Sequence, residues 1–132
     1  MKSLVYIYTF FLIYTCSAQT ERKTILTCGN SSVEIMLPII NEIQEHEFTE
    51  GKTTLLMTED LVVIEFYCGG NYVPHINDRE RYVEYSKYGN SSRGIDKKTK
   101  LYWRKDGNLI YSNCKEKDTA YYNRIFDNKI VK

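Results

Sequence analysis

The stretch Asn71-Tyr72-Val73-Pro74-His75-Ile76-Asn77-Asp78-Arg79-Glu80, with Tyr82-Val83-Glu84-Tyr85 after it, holds the side chains of this chain best suited to chemistry. A His and a Glu on neighbouring strands can work as a general acid–base pair, and an Arg or Lys can stabilise charge developing on a phosphoryl group. His75 and Glu84 are the residues of those types in this stretch. The plainer roles are a loop His after a Pro, and a Glu facing solvent from an alternating strand. The twelve Tyr are first of all sheet formers, and interleaved with Lys and Arg they could also stack on bases. Neither His75 nor the other histidine, His46, has a second ligand-type residue at metal spacing, so no metal site is expected.

The elements that must position these groups read as one helix and an antiparallel sheet. Gly29-Asn30 is a turn pair between two strand-like segments, which predicts a hairpin over 24–35. A helix capped at Ser31 is the alternative. It would carry Pro38 in its interior at a cost of about 3 kcal/mol, whereas Pro38 is tolerated in the first turn of a helix over 37–48. Ile39, Ile40 and Ile43 would form the buried stripe of that helix, with Glu42, Glu45 and Glu47 in water. Strands follow at 53–57 and 61–67, the second a nearly continuous apolar run, and at 81–88. A polar loop is expected over 90–98. Asp106-Gly107 between two strand segments gives a strong hairpin signal, and 120–126 reads as a last strand. The expected class is α+β, a single helix packed on a twisted antiparallel sheet.

Length and charge bound the rest. The chain has 132 residues and a formal net charge of +1, enough for one domain and not the profile of a polycation that coats nucleic acid. Lys2, the apolar run over 4–14 and Cys16-Ser17-Ala18 have the layout of a signal peptide over 1–18, leaving a single secreted domain over 19–132. Residues 19–66 hold nine acids and three bases, and residues 67–132 hold eight acids and fourteen bases. Such a polar distribution suits solvated faces, or a basic surface for RNA or an acidic partner. Three cysteines remain after the leader, which leaves three pairings open. A Cys28–Cys114 bridge is favoured because it closes the longest loop; three reduced core thiols are the alternative. Asn30 and Asn90 begin glycosylation sequons.

Thr27-Cys28-Gly29, a helix, Tyr72-(Val73)-Pro74-His75, Glu84 on an alternating strand and a later hairpin together resemble the fungal guanyl-specific microbial ribonuclease family. In that family a Tyr-Pro-His triplet, a strand Glu, an Arg and a second His do the chemistry. The resemblance puts Tyr72, Pro74 and His75 on the triplet, Glu84 on the base and Lys100 where the family has its Arg. No His follows His75, and Lys lacks the planar fork with which Arg grips phosphate. Tyr72, His75, Glu84 and Lys100 are therefore expected as vestiges on a microbial-ribonuclease-like scaffold. A small secreted protein of this kind is similar to the ribonuclease-like secreted effectors of cereal powdery mildew fungi. That resemblance implies delivery into a host plant cell, binding of a host protein or RNA, and potential recognition by an intracellular plant immune receptor. The expectation is a monomer with no cofactor, no enzymatic activity and, since no later apolar stretch approaches spanning length, no membrane association. The alternative expectation is an active secreted guanyl-preferring endoribonuclease.

Overall fold

Gly29-Asn30, Gly89-Asn90 and Gly107-Asn108 each close a two-residue hairpin, and their glycines take φ values of +61°, +59° and +59°. Glycine enters this left-handed region without steric cost, and two-residue turns with positive φ match the twist of the strands they join. The computed structural model describes residues 20–69 and 72–132. The leader expected over 1–18 lies outside the described residues.

The turns order the chain as β1 (Arg22–Cys28), β2 (Ser31–Leu37), β3 (Ile40–Phe48), β4 (Gly51–Thr58), β5 (Val63–Cys68), β6 (Tyr82–Tyr88), β7 (Ser91–Asp96), β8 (Tyr102–Asp106), β9 (Leu109–Cys114), α1 (Thr119–Asp127) and β10 (Ile130–Val131). A three-stranded sheet has the order β1-β2-β10, and a seven-stranded sheet the order β3-β4-β5-β9-β8-β7-β6. All pairings are antiparallel. The expected α+β class, a single helix on one twisted antiparallel sheet, is thus corrected. The described chain is mostly β, with ten strands in two sheets and one nine-residue α-helix.

Two segments exchange their expected states. The helix expected over 37–48 is strand β3. Its apolar stripe stops after one turn, because positions 46 and 47, which a helix would bury next, are His and Glu. As a strand the segment gains a backbone ladder with β4, from Ile40 opposite Thr58 to Phe48 opposite Gly51. The strand expected over 120–126 is helix α1. Tyr122, Ile125 and Phe126 are all buried, and only helical spacing puts them on one face; in a strand Ile125 would point away from the other two. Glu116 and Asp118 precede the helix and Arg124 lies in its last turn, the polarity that the helix dipole favours. The loop expected over 90–98 is strand β7 and the turn after it.

The small sheet and α1 cover one face of the large sheet. Leu26, Val33, Ile35 and Leu37 meet Leu56, Ile64, Phe66, Leu109 and Tyr111 there, and Tyr122, Ile125 and Phe126 close the core. Burial contributes about 1.5–3 kcal/mol for each large apolar side chain. Arg104 on β8 is buried among them and ties α1 to the sheet. Its Nε and Nη2 donate to the two oxygens of Asp106 at 2.8 Å each, Nη2 also donates to Asp127 at 2.7 Å, and Nη1 donates to the Asn123 carbonyl at 3.1 Å.

The disulfide joins Cys28, at the end of β1, to Cys68, at the end of β5, with Cα atoms 6.0 Å apart. This corrects the Cys28–Cys114 pairing favoured by loop length. Proximity decides instead: β1 packs against β5, while Cys114 is a buried thiol in the core cluster. Burial first, and then the nearby Asp118 and Asp60, push its thiol up to about 12, so it is an inert thiol at neutral pH.

Two outcomes are expected. Non-reducing peptide mass spectrometry finds Cys28 linked to Cys68, and an alkylating reagent labels Cys114 only after denaturation; replacing both bridged cysteines with Ser costs roughly 4 kcal/mol in urea unfolding, given a closed loop of about 40 residues. Arg104→Met lowers unfolding stability by about 3–5 kcal/mol by stranding its carboxylates, while Arg124→Met, at an exposed ion pair with Glu21, stays within about 1 kcal/mol.

Candidate functional site

The other face of the large sheet is crossed by the connection from β5 to β6. These two strands are not neighbours, since β9, β8 and β7 lie between them. The described part of this strap begins at Tyr72, turns through a short 3₁₀ segment (His75–Asn77), and packs Ile76 on Trp103 and Ile110. The strap closes its own backbone: Asn77 N–H donates to Pro74 O at 3.0 Å and Tyr82 N–H to Asp78 O at 2.8 Å. Trp103 packs against Gly94, where a Cβ would collide with the indole and with the Val83 carbonyl.

Under the strap lies Glu65. It is the one charged residue in the apolar run of β5, is 1% exposed, and stands in register between Leu55 of β4 and Ile110 of β9. The Tyr72 hydroxyl donates to its Oε1, and the Nδ1 of His75 lies 3.6 Å from its Oε2. Tyr72 supplies the partner that a buried carboxylate needs at Oε1, while Oε2 has no hydrogen-bond partner among the described residues and only the His75 ring near it. Burial, and then the bond to Glu65, hold the Tyr72 hydroxyl well above the ordinary phenol range, so Tyr72 remains a proton donor. The Tyr72 ring also meets those of Phe48 and Tyr67 in tilted contacts, at 5.7 and 5.0 Å between centroids.

Beside His75 the surface opens into a cleft of about 310 Å³. Tyr72, His75, Tyr82 and Tyr102 contribute rings, Leu55 and Val63 apolar floor, and Ser112 and Asn113 polar groups. Arg81 also lines it, but its fork is taken: Nε and Nη2 donate to Asp96 Oδ1 and Oδ2 at 2.9 and 2.8 Å. Asp96 further accepts from the Lys98 N–H and the Thr99 hydroxyl, each at 2.9 Å. Arg81, chiefly, holds the Asp96 carboxyl far below the usual carboxylate range, with the Lys98 and Thr99 bonds adding to the effect against some desolvation.

Of the residues singled out in the sequence, Tyr72 and His75 converge, but on Glu65 and not on Glu84. Glu84 is exposed on β6 and lines a second cleft with Arg79, Ser92 and Lys105. Lys100 is exposed at the end of the β7–β8 turn with φ +62°, and its N–H donates to the Asp96 carbonyl. No hydrogen bond or ion pair joins the side chain of Glu84 or Lys100 to the His75 ring. His46 lies exposed on β3 opposite Thr53. Asn30 and Asn90 are both exposed in two-residue turns. Sequence reasoning missed Glu65 and the Arg81–Asp96 pair. A lone Glu inside an otherwise apolar strand was the available signal for the first.

Among the described residues no cluster of three or more His, Cys, Asp or Glu is placed to hold a metal ion, and no helix is long and apolar enough to cross a membrane. The chain matches no family model, no curated protein and no solved structure.

The Arg81–Asp96 pair makes a pH prediction. Its native carboxyl titrates below the unfolded value of about 3.9, so its contribution is complete above that value and is lost as pH falls through the acid range below it. Asp106, lowered by its bonds to Arg104, Lys129 and Ser91 in spite of burial, acts in the same direction. Urea midpoints measured between pH 2 and 7 should fall below about pH 4, and Asp96→Asn should flatten that acid limb while lowering the midpoint at neutral pH.

Proposed function

We propose that this chain is a secreted, effector-type protein that acts by binding a host protein and not by catalysis. The observation that carries the reading is the dispersal of the groups that would have to work together. His75 has a carboxylate beside it, but that carboxylate is buried and engaged by Tyr72. Glu84 and Lys100 stand elsewhere, and the guanidinium nearest His75 in the cleft is engaged by Asp96. Cleavage beside a 2′-hydroxyl needs a base for its proton and an acid for the leaving oxygen, each contributing about 10²–10⁴-fold. One exposed imidazole, whose neighbouring carboxylate is buried and held by Tyr72, is a poor set for both tasks.

The Cys28–Cys68 bridge supports passage through an oxidising compartment, as does the leader-like sequence. Delivery into a plant cell and recognition by an immune receptor rest on the sequence resemblance to mildew effectors. A ribonuclease-like scaffold forms no part of this proposal.

The test is a fluorogenic RNA assay on the purified protein over residues 19–132, with no turnover above buffer expected. Turnover that disappears in both His75→Ala and Glu65→Gln would restore the endoribonuclease alternative. His75 is half exposed, so its variant folds even if the buried Glu65 change does not.

A further inference from the structure

Both edges of the seven-stranded sheet are open among the described residues, and they differ. β6 is interrupted by a register shift between Glu84 and Ser86 and carries Lys87, two devices that discourage another strand from pairing. β3 has neither over most of its length. Its register with β4 runs without a break from Glu42 to Phe48, and every residue from 41 to 48 is exposed. Ile43 is 64% and Phe48 52% exposed, large apolar side chains that solvent alone does not favour. A regular strand with one unpaired row of N–H and C=O groups is a template for strand addition.

We infer that β3 is the docking edge for a basic, extended segment of a partner protein, which adds to the sheet as an eighth strand. This rests on the reading that the chain acts by binding a protein, and it names the chemistry of that partner. Charge selects the occupant. β3 carries Glu42, Glu45 and Glu47 and no Lys or Arg. Among the described residues only Glu45 of these is ion-paired, to Lys52 at 3.2 Å with more than half of the carboxylate side chain exposed, while Glu42 accepts from Gln44 Nε2 at 2.6 Å. A second copy of β3 would bring the same carboxylates against these, so self-pairing is disfavoured.

The register also gives the partner a pattern. Ile43, Glu45 and Glu47 share the side of Leu56, Thr54 and Lys52, and Glu42 and Gln44 share the other side with Met57 and Leu55. Glu45 and Glu47 are two residues apart, roughly 7 Å along the strand, so Lys or Arg at alternate positions of an added strand would meet them. On the opposite side the alternate residues of the added strand would lie beside Glu42 and Gln44, whose own inner flank is a shallow hollow of about 130 Å³ over Leu55, Met57 and Val63 of β4 and β5. Backbone bonds would supply affinity, and this alternation the specificity.

The experiment titrates the full protein over residues 19–132 into a fluorescent nine-residue peptide that alternates Lys and Val, read by anisotropy at several salt concentrations. Saturable binding that weakens as salt rises is expected. Glu42→Gln/Glu45→Gln/Glu47→Gln should weaken it about ten-fold or more, since the pairs at Glu45 and Glu47 contribute up to about 1 kcal/mol each. Ile43→Lys, a change at an exposed side chain, should remove binding without unfolding the protein, and a peptide N-methylated at alternate amides should not bind. Equal binding by the triple variant or by the N-methylated peptide would overturn the inference, as would no binding at all. So would a dimer in sedimentation that Ile43→Lys dissolves, which would assign the edge to a second copy. The RNA assay keeps the two readings apart: no peptide binding by a protein that leaves RNA intact sinks the docking edge alone, whereas RNA cleavage sinks the non-catalytic reading whatever the peptide does.

Discussion

A guanidinium taken out of water sets conditions on everything around it. Arg104 keeps its charge inside the protein because Asp106 grips it with both oxygens, Asp127 and the Asn123 carbonyl reach it from α1, and the Phe126 ring lies 5.5 Å from its centre. Asp106 in turn accepts from Lys129 and from Ser91, both at 2.7 Å, so β7, β8, the helix and the segment after it share one network. The Tyr111 hydroxyl adds a bond from β9 to Asn123. Geometry this constrained fixes where α1 lies, and α1 fixes how the small sheet can close the core. Burying an ion pair stabilises little in itself, but a misplaced helix would leave charges unpaired, and so wrong packings are penalised.

The two faces of the large sheet are consequently unlike. One is sealed by α1 and the small sheet around an aliphatic and aromatic core. The other is spanned by a single strap whose hold combines a modest apolar contact, Ile76 on Trp103 and Ile110, with a polar one, Tyr72 and His75 over Glu65. Ring contacts carry that hold outward, with His75 edge-on to Tyr82 and Arg81 over the same ring. The cleft beside His75 follows from this sparse cover.

What could be read from the sequence was local. Gly29-Asn30 announces its hairpin, and the same dipeptide at 89–90 and 107–108 marks the other two, so attention to the repeated pair would have turned the loop expected over 90–98 into β7. The apolar run at 61–67 was legible as a central strand because several β-branched residues in a row leave few alternatives. Helix and strand were exchanged at 37–48 and 120–126 because short segments fit both periods. Three isoleucines near a proline imitate a first helical turn, and adjacent tyrosines imitate a strand. Pairings between distant residues were beyond reach. Arg104 to Asp127, Arg81 to Asp96 and Cys28 to Cys68 are set by which strands become neighbours. For the same reason Tyr72 and His75 were found while their carboxylate was not: Glu84 lies on the strand that follows the strap, and Glu65 lies on the one it leaves.

The covalent link between β1 and β5 also decides how this molecule would yield to mechanical force. It spans a sequence separation of 40 residues and encloses β2, the β3–β4 hairpin and most of β5. Stretched from its two ends, the chain could pay out only the segment beyond Cys68 and the short lead before Cys28. The contour length released would fall short of that of the reduced chain by nearly the whole enclosed loop. The two-residue β10, held to β2 through Lys132 and Ser32, would peel first. The edge hairpin, inside the enclosed loop, would bear no tension until the bridge was reduced.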